Sequence, residues 1–211
     1  MTVKDLPILD NTDKHGLHRN ADTEHAIEDY NKAKKKRNAA VLIPLVRSMD
    51  EWHILFIRRA SNKEDRHSGQ VAFPGGAADS SDKNPTDTAL RETSEEIGVS
   101  SDRIKIVSQL DAYYTISNYR VTPVVGILKW PSNLKLETAE VARAFLIPLN
   151  WLEDENNFTL RARNEMDNQS AKRHPIIVYN EFDGETLWGA TARMTMNFIK
   201  ALNEKAILLP S

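Results

Sequence analysis

Residues 75–99 read GGAADSSDKNPTDTALRETSEEIGV and place an arginine and three glutamates at helical spacing behind a pair of glycines. Asn84 is a fitting N-cap, Pro85 suits the first helical position, and Asp87 puts a carboxylate in the first turn, where the helix dipole favours it. Gly98 supplies the left-handed residue that ends a helix. The reading is a helix over residues 85–97. At roughly 100° per residue, Glu92, Glu95 and Glu96 fall within an arc of about 100°, while Ala89, Leu90, Thr93 and Ile97 share another side. The expectation is one acidic face and one packing face.

Three carboxylates that close repel one another, and one takes up a proton unless a cation holds them together. Oxygen ligands without His or Cys suit Mg²⁺ or Mn²⁺, ions that keep several waters and bind a substrate's phosphates. Arg91 is placed to act as a bidentate partner of a glutamate. The plainer alternative is a solvated acidic helix face, because a Glu followed three residues later by a Glu pair is common on surface helices.

The glycine loop and helix together resemble the Nudix box: Gly, five residues, Glu, seven residues, then Arg-Glu-aliphatic-x-Glu-Glu-x-Gly-aliphatic. Gly76 takes the first glycine, Asp82 stands where the first Glu is expected, and RETSEEIGV (residues 91–99) supplies the rest. Asp82 replaces the Glu, eight residues rather than seven separate it from Arg91, and Thr93 replaces an aliphatic residue. The first two departures fall in a loop, which tolerates an extra residue. The resemblance implies an α/β/α sandwich with a mixed β-sheet and a pyrophosphohydrolase acting on a nucleoside diphosphate linked to another group. It also implies that Glu92, Glu95 and Glu96 bind the metal, with Glu92 or Glu95 doubling as base and Arg91 in the catalytic set. Gly76 and Asp82 would complete the metal ligands, the glycine through its main chain.

Upstream, LFIRRASNKEDRHSGQVAFPGG (residues 55–76) resembles the signature of the coenzyme A branch of Nudix hydrolases. His67, Gly69 and the FPGG of residues 73–76 match, Arg59 falls at the strand's arginine, and Arg66 is displaced by one. The substrate-binding set implied is Arg59, Arg66, His67, Gly69, Phe73 and Gly75. For His67 a loop-orienting hydrogen bond is the expected role, since no nucleophile pattern accompanies it. YRVTPVVGIL (119–128), AFLIPL (144–149) and LWGATARM (187–194) resemble later strands and the closing helix of the same family. Residues 187–202 also recur with helical apolar spacing, and Trp188 and Met194 read as core.

The remaining organisation is that of one domain over residues 39–205, behind a polar extension over 1–38 that starts loose and ends helical, with a short tail over 206–211. AAVLIPLV (39–46) and WHILFIRR (52–59) flank a polar SMDE turn, as neighbouring strands do. RIKIVSQLDAYY, FTLRAR and HPIIVYNEF are further strand candidates. The run 32–37, KAKKKR, reads as a helix end whose cations favour the C-terminal dipole. A net charge of −2 gives no footprint for nucleic acid, no apolar run is long enough to span a membrane, and 211 residues contain no cysteine. His174 before a proline reads as a strand start, and no His cluster has zinc spacing.

The resulting expectation is a cytoplasmic Mg²⁺- or Mn²⁺-dependent hydrolase that splits the diphosphate of coenzyme A into phosphopantetheine and adenosine 3′,5′-bisphosphate. Its partners would be that small nucleotide and a second copy in a homodimer, with neither nucleic acid nor membrane. ADP-ribose, a dinucleotide or another nucleoside diphosphate derivative is the alternative substrate. A silent nucleotide-binding module is the alternative class, which the four retained box residues Arg91, Glu92, Glu95 and Glu96 disfavour.

Overall fold

The computed structural model describes residues 36–61, 67–115, 117–131, 133–161 and 175–210. The expected N-terminal extension, most of the run 32–37, Arg66 and His174 lie outside the described residues. Strands β1 (Arg37–Ser48) and β2 (Glu51–Arg59) form a hairpin in which Ser48 pairs with Glu51. Met49 and Asp50 at its tip have φ of 51° and 61°, the mirror-image turn whose twist matches the flanking strands.

The short strands β3 (Val71–Ala72) and β4 (Gly75–Ala77) follow, then helix α1 (Pro85–Ile97), and then β5 (Ile104–Gln109), β6 (Tyr113–Tyr114) and β7 (Tyr119–Leu128). β1 runs parallel to β7 and antiparallel to β2, so the sheet is mixed. The outer edge of β2 carries β8 (Val141–Pro148).

Two central strands contain proline, and each proline stands where a neighbour changes. One edge of β1 first holds β4 at Ala39–Val41 and then β2 from Leu45, with Pro44 in the gap. Leu42 donates its N–H to Pro74 O on that edge at 2.8 Å, so alternation turns the donor-less Pro44 nitrogen to the same gap. Pro123 of β7 stands between β6, paired at Arg120 and Val121, and β5, paired from Val124.

The long apolar runs arise because both sheet faces are covered. Ile43, Leu45, Ile54, Phe56 and Val125 face one core with α2 (Leu149–Glu153), α3 (Gly189–Asn203) and a three-stranded sheet of β9 (Phe158–Arg161), β10 (Ile176–Phe182) and β11 (Glu185–Trp188). Ala40, Leu42, Leu55, Ile57 and Val124 face the other core with Ala89 and Ile97 of α1. This is the expected α/β/α layering on a mixed sheet.

The helical reading of residues 187–202 is corrected at its start. Leu187 and Trp188 end β11, where Trp188 pairs with Val178, and α3 begins only at Gly189. The hairpin that creates β11 turns at Asp183 and Gly184, with φ of 50° and 78°. Met194 is core as expected, Trp188 is half-buried, and Ile207 of the expected tail is packed in the core.

Candidate active site

Helix α1 has the bounds its caps predict: the Asn84 side chain accepts from Asp87 N, Pro85 opens the helix, and Gly98 closes it at φ 70° with its N–H on Ser94 O. Its faces divide differently from the simple acidic and apolar sides. Glu96 is only 2% exposed and lies within the packing face beside Thr88, Ala89, Thr93 and Ile97. Thr93 fits the aliphatic position because its hydroxyl donates to Ala89 O at 2.6 Å.

The glycine pair explains why a carboxylate is buried there. Gly75 donates its N–H to Glu96 Oε2 at 2.9 Å. β4 presses this backbone against β1 so closely that a Cβ on Gly75, whose φ is 150°, would meet Ala40 O at 2.4 Å. The Glu92 carboxyl leans over Gly76, where a Cβ would meet its Cδ at 2.5 Å. Two carboxylates therefore converge on the Gly75–Gly76 backbone.

Both carboxyls are raised by their surroundings. Burial pushes Glu96 up to about 7, against the Gly75 N–H and the Arg59 charge, while Glu92 and Glu140 push it further. Glu92 is also raised, chiefly by burial and then, against Arg91, by the charges of Glu95 and Glu140. Carboxyls raised by burial and by the charge of neighbouring carboxylates fit a hard divalent cation. Among the described residues no three His, Cys, Asp or Glu side chains come together as a group that could hold a metal ion.

Arg91 is the hub beside this pair. Its Nε and Nη2 grip both oxygens of Asp82 at 3.0 Å, Nη2 also reaches Ala77 O, and Nη1 contacts Glu92 Oε1 at 3.0 Å and Glu95 Oε2 at 2.9 Å. The bidentate partner is thus Asp82 rather than a glutamate. Asp82 accepts from Asp79 N as well, and Arg91 holds its carboxyl well below the usual carboxylate range. Both Asp82 oxygens are turned to Arg91 and the loop. Glu95 stands apart, with its side chain 59% exposed.

The upstream residues divide too. Arg59 ends β2, and its charge opposes the rise of the Glu96 carboxyl. His67 Nδ1 meets Gln70 Oε1 at 3.1 Å, an orienting contact within its loop, and Gly69 takes φ 69° in the turn. Phe73 is 2% exposed and stacks on Phe56 with centroids 5.0 Å apart, within the core. Glu140 was missed by sequence reasoning. It precedes β8, its carbonyl accepts from Ala60 N at 2.7 Å, and its charge bears on both Glu92 and Glu96. No local spacing signals it, because strand pairing of Arg59 with Val141 brings it in.

Comparison with known proteins agrees with this geometry. The NUDIX domain family matches residues 36–168. The Nudix hydrolase NudL of Pectobacterium atrosepticum is 32% identical over 158 residues, covering 75% of this chain and 79% of that protein. NudL of Citrobacter koseri is 36% identical over 155 residues, covering 72% and 71%. The fold is shared with the crystal structure of RenU, a Nudix hydrolase from M. smegmatis, at TM-score 0.55 and 16% identity over 83% of this chain and 91% of that one. A MutT/nudix family protein from Enterococcus faecalis gives TM-score 0.52 and 16% identity over 90% and 73%. With the box residues gathered on one helix and its glycine loop, the chain belongs to the Nudix hydrolases, a family acting on phosphorus anhydrides.

Proposed function

We propose that this Nudix hydrolase splits the diphosphate of coenzyme A, or of an acyl derivative, with Mg²⁺ or Mn²⁺, giving the phosphopantetheine half and adenosine 3′,5′-bisphosphate. The observation that carries the chemistry is the buried Glu96 carboxylate on Gly75 N–H with Glu92 closing over Gly76. Glu92 and Glu96, with the Gly76 main chain, would hold the cation. When bound, the ion supplies charge neutralisation at the phosphates and acidifies a water for attack at phosphorus.

The remaining roles belong to the chain's own residues. Gly75 N–H orients Glu96, and two small residues let the backbone approach a phosphate closely. Arg91 positions Glu92, and Asp82 anchors Arg91 instead of ligating metal. Glu95, tied to Arg91 and exposed, shares in holding that guanidinium. Arg59 adds positive charge for the substrate. Glu140, an exposed carboxylate, adds negative charge that bears on both metal-facing acids, and Glu92 or Glu95 would act as the base.

Support for the coenzyme A substrate is the loop of His67 and Gly69, which runs through β3 directly into the Gly75–Gly76 contact with Glu96. The test is turnover of coenzyme A, ADP-ribose and NADH with either metal, products being separated by chromatography. Preferred cleavage of coenzyme A to adenosine 3′,5′-bisphosphate is expected. Preference for another diphosphate would remove the coenzyme A assignment and leave the metal chemistry standing.

A further inference from the structure

Resting on the metal-dependent reading above, we propose that residues 134–141 form a strap that fixes the main chain of Glu96, and that Glu137 is its positioning residue. A helix ends with carbonyls that have no donor of their own within it. For α1 the strap supplies the donors: Glu137 N–H reaches Glu96 O and Lys135 N–H reaches Ile97 O, both at 2.9 Å. Leu134 and Leu136, on the alternate positions, are half-buried against the core that holds Ala89 and Ile97. The passage is close, since a Cβ on Gly98 would meet Lys135 Cβ at 2.7 Å.

Glu137 uses its N–H, its carbonyl and its carboxylate in one turn. Beside the N–H on Glu96, the carbonyl accepts from Glu140 N at 2.9 Å and Val141 N at 2.8 Å, and Oε1 accepts from Ala139 N at 3.2 Å. The side chain folds back over its own turn in an exposed place, where one hydrogen bond contributes only modestly to stability. Its consequence is geometric. The turn sets where the Glu137 N–H stands, and that N–H sets the Glu96 carbonyl.

Glu96 is thus held at both ends. Gly75 N–H takes its carboxylate and Glu137 N–H takes its carbonyl, each at 2.9 Å, from segments on either side of it in sequence. Groups that orient a metal-facing side chain commonly weigh about 10–100-fold in metal affinity, because the ligand must stand in one geometry. The far end of the strap is tied as well. Ala60, next to Arg59, donates to Glu140 O at 2.7 Å, and Val141 pairs with Arg59. One short turn therefore joins the end of α1 to the end of β2.

The experiment measures Mn²⁺ binding by calorimetry at pH 8, without substrate, for wild type, Glu137→Ala and Glu137→Gln. Glu137→Ala removes the acceptor for Ala139 N and should weaken Mn²⁺ binding about tenfold while melting within a few degrees of wild type. Glu137→Gln keeps an oxygen at that position and should stay within about threefold of wild type, because the turn uses the acceptor and not the charge. Linkage gives a second readout. A strap that raises metal affinity is itself steadied by the metal, so Mg²⁺ should slow amide hydrogen exchange of Lys135 and Glu137 in wild type about threefold or more. A folded Glu137→Ala that binds Mn²⁺ as wild type does, a Glu137→Gln as weak as Glu137→Ala, or exchange indifferent to Mg²⁺ overturns the strap's role. Should Glu137→Ala not fold, the exchange measurement on wild type decides. If binding and exchange respond as stated but coenzyme A is left intact, the substrate assignment fails and the strap stands, whereas a wild type that binds no Mn²⁺ removes both.

Discussion

Glu96 keeps a carboxylate inside a packed layer with one backbone N–H and the Arg59 charge to offset its burial, so a bound cation would stabilise it further. Its folded pKa, about 7, lies above the ordinary value of 4.5. The native state thus binds more protons than the unfolded chain between these values, and stability falls as pH rises through them. In EDTA, denaturant titration should show wild type losing ~3 kcal/mol between about pH 4.5 and 8. Glu96→Gln should lack that loss, and Mn²⁺ at pH 8 should restore stability to wild type alone. An unchanged pH slope in the variant would assign the burial no such cost. Asp82 presents the opposite case, since its oxygens are fully engaged by Arg91 and Asp79 N. Asp82→Asn should lower stability by ~1–2 kcal/mol while Mn²⁺ affinity, read by calorimetry, changes less than about threefold. A tenfold or greater loss of affinity without destabilisation would make it a ligand. Arg91, Glu92 and Glu96 were legible from spacing. Glu140 and the true partner of Arg91 were not, because both depend on contacts between distant segments.

At the scale of elements, α1 was readable to its ends because each end carries a residue whose local conformation does the stopping: Asn84, Pro85 and Gly98. The start of α3 was not, since Leu187 and Trp188 fit its apolar period and only pairing with β10 claims them for a strand. Likewise the acidic stripe of α1 was legible as a stripe, but not the inward turn of Glu96, which needs the Gly75 N–H of β4. That short strand makes a paired prediction. Gly75→Ala drives a Cβ into Ala40 O at 2.4 Å and the Val41 Cα at 2.5 Å, both backbone, and should destabilise by about 2 kcal/mol or more. Gly76→Ala meets only the end of the Glu92 side chain. It should melt within a few degrees of wild type yet lose about 10–100-fold in kcat/KM, as expected when a metal-facing carboxylate is displaced. Equal effects of the two variants on melting temperature would refute this division.

Across the whole molecule, the central sheet joins two cores, and a charge clamp fastens the smaller sheet to it. Arg58 and Arg143 are cross-strand partners of like charge, and both reach Glu185 Oε1 at 3.2 Å, while Arg143 also pairs with Asp183. The Glu185 side chain is 5% exposed. Glu185→Ala leaves two adjacent guanidiniums facing a gap and should cost about 3 kcal/mol by denaturant titration, whereas a change under about 0.5 kcal/mol would show the layers held by apolar packing alone. No described helix is long and apolar enough to cross a membrane. The layering was legible through the resemblance carried by residues 75–99, while the clamp was not, as its members come from strands far apart in sequence. The claim that unites these scales is that Glu96 and its neighbours exist to hold a divalent ion against a diphosphate. The most direct measurement is the Mn²⁺ dependence of coenzyme A hydrolysis by wild type and Glu96→Gln at pH 8. The account predicts saturable activation by the metal in wild type and a loss of about 10³-fold or more in the variant. Hydrolysis that ignores Mn²⁺, or a folded variant that keeps wild-type turnover, would contradict it.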